Sequence, residues 1–367
     1  MEPLRVHVPQ ETLDELRGRL ARTRWPREAR AEDRELAERW LNAFDWRRYE
    51  ERANAFHHFQ AEVDGVRLHF LYERCGRPDA IPLVLTHGWP SSFLEYLPLV
   101  PLLTEAGFDV VVPSLPGFAF SESLPPGNSR RIPALWAHVM TDVLGYERFG
   151  AYGGDIGGMV TNRLALEFPE RLLGIVVSFL AEPELAEPLS ERERALVEGR
   201  PRGEEDAGAY AHLLRTRPHA VAVALNDSPA GLLAWLADKW REWTDELPAD
   251  DLLATATLYW ATGTIASSAQ IYADWKLGSA GKPVAWERVE TVPPGVDSRP
   301  LEAGQRISVP AGVALFSLAR WPREWAERAY ADIRRWSELP RGGHFGALEE
   351  PELLAEELIS FFSLLAR

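Results

Sequence analysis

The chain has 367 residues, 46% of them hydrophobic and 26% charged, which is enough for one large domain or two smaller ones with a sizeable core. Its formal net charge of −15 argues against a nucleic-acid-binding protein, which needs a basic face. A single cysteine, Cys75, excludes an internal disulfide and a cysteine zinc site. We see no apolar run of about 18 residues and no signal-peptide pattern at the start. We therefore expect a cytoplasmic protein that does not bind a membrane.

The first 56 residues are predicted to be helical. Leu13, Leu16 and Leu20 recur at helical spacing after Thr12, the expected N-cap, and a second helix is expected to follow Asp33. The segment is rich in Trp and Arg. We expect it to form an arm that packs on another part of the chain.

A hairpin and a series of buried strands are predicted after this arm. Alternating apolar residues flank Asp64-Gly65, a dipeptide that favours a hairpin turn. Short apolar runs separated by helical stretches then predict a mostly parallel sheet covered on both faces. These runs are Ile81–Leu85, Val110–Val112, Phe149–Tyr152, Gly174–Phe179 and Ile307–Phe316.

Helical, Trp-rich sequence between the fourth and fifth runs predicts an inserted cap, closed by a loop at about Gly278–Gly304. The chain is therefore an α/β protein that we divide into four parts. These are a helical arm (1–56), a first part of the sheet (57–181), a helical cap with its return loop (182–304) and a second part of the sheet (305–367).

The sharpest motif is Gly-Gly-Asp-Ile-Gly-Gly at 153–158, between a predicted strand and a predicted helix. It has the pattern of the sharp turn that carries the nucleophile of many hydrolases, with Asp155 where Ser is usual. Nearby glycines relieve crowding, and the helix N-terminus favours an anion. The alternative is a glycine-rich turn with a capping aspartate.

Two further loops fit the same chemistry. His87-Gly88-Trp89-Pro90 follows a predicted strand, where a backbone N–H of an oxyanion hole is expected; the two donors would be Trp89 and Ile156. His344 lies in a glycine-rich loop near the C-terminus, as expected of a base that follows its nucleophile in the chain. Taken alone, His87 is more typical of a structural hydrogen bond.

These three motifs together resemble the α/β-hydrolase superfamily. Two cap motifs, Leu225–Leu232 and Tyr259–Ser268, with Tyr272 after them and Arg24-Trp25-Pro26 in the arm, narrow the resemblance to the microsomal-type epoxide hydrolase family over nearly the whole chain. The resemblance implies an α/β-hydrolase fold, a mostly parallel sheet with a helical cap and a helical N-terminal arm.

The resemblance also implies roles for residues of this chain. Asp155 would attack an epoxide carbon and form an ester, while the phenols of Tyr210 and Tyr272 donate to the epoxide oxygen. His344 would activate the water that hydrolyses the ester, with the N–H groups of Trp89 and Ile156 forming the oxyanion hole. For Tyr210, an ordinary amphipathic cap residue is an equal alternative.

One position departs from the family. The acid that orients the histidine is expected where this chain has Ala319. Three explanations are open: an acid from another strand end, Glu182 or Glu184; a neutral partner such as Ser317 with slow ester hydrolysis; or an acceptor other than water, as in an epoxide-opening cyclase or isomerase. Retained hydrolysis is favoured, because Asp155, His344 and both tyrosines are all present.

Other classes remain as alternatives. A haloalkane dehalogenase often has Trp after its nucleophile, where this chain has Ile156, and a non-catalytic ligand-binding homologue is supported only by the missing acid. The expected partners are water and a small hydrophobic or aromatic epoxide, cis-epoxides included, from secondary metabolism. We expect no metal, because His57 and His58 fall on opposite faces of a predicted strand, and no cofactor, because no phosphate loop or dinucleotide fingerprint stands out. A homodimer stays open.

Overall fold

The computed structural model describes residues 1–185, 188–205, 207–274, 301–319 and 321–365. Its strands form one sheet in the order β1-β2-β3-β5-β4-β6-β7-β8-β9. Strands β4 to β9 are parallel to one another, whereas β1, β2 and β3 are antiparallel additions at one edge. The predicted mostly parallel sheet is therefore confirmed. The strands are β1 (Glu2–Leu4), β2 (His58–Val63), β3 (Val66–Glu73), β4 (Ile81–Thr86), β5 (Phe108–Pro113), β6 (Phe149–Gly153), β7 (Leu172–Val177), β8 (Ala311–Leu315) and β9 (Ile333–Glu338).

Helices cover both faces of this sheet. In chain order they are α1 (Gln10–Ala21), α2 (Ala31–Asn42), α3 (Trp46–Ala53), α4 (Leu99–Ala106), α5 (Ile132–His138), α6 (Asp155–Glu167), α7 (Glu191–Glu205), α8 (Ala209–Thr216), α9 (Pro218–Asp227), α10 (Pro229–Trp243), α11 (Ala249–Thr262), α12 (Ile265–Asp274), α13 (Arg323–Ala329), α14 (Gly346–Glu349) and α15 (Pro351–Leu365). Helices α4 and α15 pack together on one face, and α5 and α6 on the other. Each face thus has its own apolar core.

The predicted hairpin is present as β2 and β3. Asp64 and Gly65 both have positive φ, 50° and 75°, and Val63 pairs with Val66 across the turn. Two consecutive positive φ values suit the right-handed twist of the flanking strands. The turn dipeptide therefore sets the register of the hairpin.

Helices α7 to α12 lie between β7 and β8, in the region expected to form the cap. The return loop predicted at about Gly278–Gly304 lies mostly outside the described residues. The N-terminal arm packs on these cap helices: the Trp40 indole N–H donates to Thr257 Oγ1 over 2.9 Å in a buried contact, and Arg241 pairs with Asp33 at 2.6 Å. The arm therefore holds the cap to the rest of the molecule.

Some local predictions were wrong. Helix α1 begins after Pro9 rather than Thr12, because the Pro9 carbonyl already accepts from the Thr12 and Leu13 N–H groups. Helix α2 begins at Ala31, before Asp33. Strand β1 was missed because it has only three residues. Strand β9 was missed because it is a charged, half-exposed edge strand, a composition that protects sheet edges from further pairing.

Within the described residues, no single helix is long and apolar enough to cross a membrane. Helices α9 and α10 meet the criterion of length and composition only when counted together across a 117° bend.

Candidate active site

Asp155 occupies a sharp turn between β6 and α6. Its φ is +49°, a backbone conformation that is strained for a residue with a side chain. A Cβ on Gly157 would lie 1.8 Å from the Thr86 carbonyl oxygen, so the turn packs too closely on β4 for any side chain there. The local sequence therefore places the Asp155 carboxylate at the carboxyl end of the parallel strands.

The two oxygens of this carboxylate have different surroundings. The Trp89 N–H donates to Asp155 Oδ1 over 2.8 Å, while Oδ2 lies 3.6 Å from His344 Nε2. A Cβ on Gly88 would lie 2.4 Å from Oδ1, so the loop before Trp89 can approach the carboxylate only because residue 88 is glycine. Ile156, the second predicted oxyanion donor, is buried in the first turn of α6.

His87 holds the loop that carries Trp89. Its Nε2 accepts from the Leu115 N–H over 3.1 Å, so the ring proton lies on Nδ1, 2.9 Å from the Gly88 carbonyl oxygen. Burial lowers the pKa of His87 to about 4, which keeps the ring neutral. These contacts show that His87 supports the loop that carries Trp89.

The predicted phenols come together beside Asp155. Tyr210 lies on α8 and Tyr272 on α12, and the two rings meet edge-on with their centroids 5.9 Å apart. Trp89 stacks on Tyr210 and meets Tyr272 edge-on. Burial raises the pKa of both phenols, and the nearby Asp155 charge raises it further. Both are therefore protonated donors at neutral pH.

His344 lies on the loop between β9 and α14, against the end of α10. Its backbone N–H donates to the Trp243 carbonyl oxygen over 2.6 Å, and the centroids of the two side-chain rings lie 4.6 Å apart. Burial lowers the pKa of His344, and the Asp155 charge opposes this shift. The ring is thus biased towards the neutral form that a general base requires.

Two carboxylates hold this loop through its backbone. Glu349 accepts from the N–H groups on both sides of His344, those of Gly343 and Phe345, and from the N–H of Asp245. Asp245 in turn accepts from the Gly342 N–H over 2.7 Å. Sequence reasoning missed the roles of both residues. The only signal was that Glu349 follows His344 by five positions.

Among the residues that the structure describes, the expected acid is absent beside His344. In the part of the chain that the structure describes, Asp155 is the one carboxylate in polar contact with the His344 ring, and neither Glu182 nor Glu184 reaches it. Ser317, the predicted neutral partner, instead hydrogen-bonds the Gly342 carbonyl oxygen and Asp245. Ala319 lines a cavity of about 520 Å³ beside this loop.

Comparisons with known proteins agree with this geometry. The family model described as "Epoxide hydrolase N terminus" matches residues 1–96, and the one described as "alpha/beta hydrolase fold" matches residues 81–205. The chain is 38% identical to the "Putative epoxide hydrolase" of Stigmatella aurantiaca, over 98% of this chain and 84% of that protein. It is 32% identical to "Epoxide hydrolase 1" of Sus scrofa, over 89% of this chain and 78% of that one.

A solved structure supports the same relationship. The Aspergillus niger epoxide hydrolase superposes with a TM-score of 0.82 at 29% identity, covering 99% of this chain and 96% of that one. The predicted α/β-hydrolase fold is thereby confirmed. Because the chain is 38% identical to the Stigmatella aurantiaca protein over 98% of its own length, it belongs to the epoxide hydrolase family.

Proposed function

We propose that this chain converts a hydrophobic or aromatic epoxide into a vicinal diol, with water as its second substrate and an ester of Asp155 as the intermediate. Its membership of the epoxide hydrolase family supports the reaction. The observation that carries the mechanism is the placement of the Asp155 carboxylate, with one oxygen on the Trp89 N–H and the other towards His344.

Ring opening begins at Asp155 Oδ2, because Oδ1 is already held by the Trp89 N–H. As Oδ2 bonds to an epoxide carbon, the carbon–oxygen bond of the ring breaks, and the departing oxygen takes a proton from a phenol. Tyr210 and Tyr272 supply that proton and the hydrogen bonds that hold the epoxide oxygen, since both keep their protons at neutral pH.

Ester hydrolysis then uses the other side of the site. Oδ1 becomes the carbonyl oxygen, which the Trp89 and Ile156 N–H groups polarise as an oxyanion hole. His344 takes a proton from water as the water oxygen bonds to Cγ of Asp155; the Cγ–Oδ2 bond then breaks, and Oδ2 leaves on the diol with the proton returned by the His344 imidazolium. The new carboxyl group of Asp155 releases a proton to solvent, which balances the proton that the phenolate takes from solvent after ring opening.

Aromatic side chains surround the reacting atoms, which supports an aromatic or otherwise apolar substrate. The rings of Trp89, Tyr210, Tyr272, Trp243 and His344 form a continuous set of contacts. The preference for cis-epoxides, the role in secondary metabolism, the cytoplasmic location and the homodimer stay predictions.

The proposal is tested with styrene oxide. We expect wild-type protein to form the diol, Asp155→Ala to form none, and His344→Gln to accumulate an intact-mass adduct equal to protein plus epoxide. Asp245→Asn serves as a control for damage to the histidine loop, since it leaves Asp155 and His344 in place and should form no stable adduct. Diol formation by Asp155→Ala, or turnover of a haloalkane without turnover of the epoxide, would contradict the proposal.

A further inference from the structure

Lys239 is a buried lysine on cap helix α10, with a side chain only 7% exposed. Its ammonium pairs with Glu242 at 2.6 Å and with Asp238 at 3.3 Å. Those two carboxylates are themselves 42% and 47% exposed, so a lysine reaching out to solvent could make the same pairs. Because burying a lysine is costly, its placement calls for an interaction inside the molecule.

The interior of the site supplies that interaction. Lys239 Nζ lies 5.2 Å from the ring centroid of Tyr210 and 5.8 Å from that of Trp243, within the range in which a cation is attracted to an aromatic face. The Tyr210 ring meets the Tyr272 ring edge-on, and Trp243 contacts His344 through its ring and its carbonyl group. The ammonium therefore touches the ring of a proposed proton donor.

We infer that Lys239 is a positioning residue for ring opening: its ammonium fixes the Tyr210 ring and stabilises the negative charge that the phenol develops as it gives up its proton. The inference rests on the proposed function. The proton passes from the Tyr210 hydroxyl to the epoxide oxygen while the ring bond breaks and the Asp155 Oδ2–carbon bond forms. The attraction strengthens in this step because the ring of a phenolate is more negative than that of a phenol.

This role predicts an effect on one half-reaction only. Tyr210 carries no developing charge while water attacks the ester, so loss of the ammonium should slow alkylation of Asp155 and leave ester hydrolysis unchanged. The Glu242 carboxylate, which binds the ammonium, itself raises the pKa of Tyr210. Removing its charge should therefore not reproduce the loss of Lys239.

The test is single-turnover kinetics of styrene oxide with the full-length chain in excess, which separates the two half-reactions. We expect Lys239→Met to slow alkylation about 5- to 30-fold, the strength of a desolvated cation–π contact. We expect Lys239→Arg to recover at least half of that loss. Two further variants on the same helix separate this role from general damage to α10. Glu242→Gln removes a charge that raises the pKa of Tyr210, so it should alkylate no more slowly than wild type. Arg241→Met, which removes the partner of Asp33 in the arm, should alkylate at the wild-type rate.

Three outcomes would overturn the inference: an unchanged alkylation rate in Lys239→Met, an equal slowing of both half-reactions, or the same slowing in either control. Thermal melting of each variant identifies any loss of folded protein before the rates are compared. Wild-type protein that forms no diol would instead contradict the proposed function, and this inference with it.

Discussion

At the scale of single residues, the surroundings of His344 differ from those that the expected mechanism requires. Its ring contacts Asp155 Oδ2, but among the described residues no second carboxylate supports it. Once Asp155 is esterified, its charge is gone, and no other carboxylate of the described residues contacts the imidazolium formed during hydrolysis. We therefore expect ester hydrolysis to be the slow half-reaction.

Supplying a carboxylate beside His344 should make ester hydrolysis faster. Ala319 stands at the expected position of the acid and lines a cavity of about 520 Å³, so a longer side chain can be accommodated. We predict that Ala319→Asp hydrolyses the ester about tenfold faster or more, measured as decay of the alkylated protein in single turnover. Ala319→Asn is the matched uncharged control; an Asp variant no faster than the Asn variant would refute the prediction.

His344 and Ala319 also allow a prediction of how the rate of ester hydrolysis depends on pH. Burial lowers the pKa of His344, so its neutral, basic form persists below the ordinary histidine value of about 6.5. The acid limb of ester hydrolysis should therefore lie below pH 6.5 in the wild type and move to higher pH in Ala319→Asp. A pH–rate profile of the isolated hydrolysis step checks this, and a limb above about pH 6.5 in the wild type would contradict it.

Sequence spacing predicts that two residues lie close together where each belongs to a local motif. Asp155 and His344 lie in glycine-rich turns whose spacing is visible in the chain, and the structure brings the two side chains together. Lys239 and Glu349 lie in no such motif. Their relation to the site exists only after α10 and the histidine loop have packed, which spacing along the chain does not reveal.

At the scale of elements, the N-terminal arm stabilises the cap. Trp40 of α2 is 2% exposed and donates its indole N–H to Thr257 of α11. We predict that Trp40→Ala lowers the free energy of unfolding by about 3–5 kcal/mol, because it opens a cavity and leaves a buried hydroxyl without its donor. Urea denaturation measures the change.

Arg30→Ala is the control for this prediction. Arg30 also joins the arm to α10, through Asp238, but both side chains are about half-exposed, and such a pair contributes about 0–1 kcal/mol. If Trp40→Ala and Arg30→Ala lower the free energy of unfolding equally, buried packing between the arm and the cap is not the main source of stability at this contact.

Element prediction from sequence worked where the pattern is strong. The hairpin could be predicted because Asp64-Gly65 demands a specific turn, and the central parallel strands because they are continuously apolar. Strand β9 could not, because two arginines and a glutamate lie within its six residues and it is recognisable only by its pairing with β8.

At the scale of the whole molecule, the free energy of unfolding depends on a proton that Glu95 holds near Asp155. Glu95 lies in the short turn Phe93–Tyr96, and burial raises its pKa to about 8, with Asp155 and Glu349 adding to the shift. An unfolded glutamate ionises at about pH 4.3, so the folded protein holds an extra proton between those values. This contribution to stability is complete at low pH and is lost as pH rises towards 8.

Glu95→Gln keeps the size of the side chain and stays neutral. We predict that its free energy of unfolding, relative to wild type, rises by about 1.4 kcal/mol per pH unit between roughly pH 5 and 7. Urea unfolding of both proteins at several pH values measures the difference. Parallel pH dependences in the two proteins would contradict the prediction.

The most direct test of the whole account follows an oxygen atom. With protein in excess over epoxide in water enriched in ¹⁸O, the first-turnover diol should carry no ¹⁸O, because its new oxygen comes from Asp155 Oδ2. The label should instead appear in the proteolytic peptide that contains Asp155. Labelled diol from the first turnover, with an unlabelled Asp155 peptide, would mean that water attacks the epoxide directly and that no ester forms.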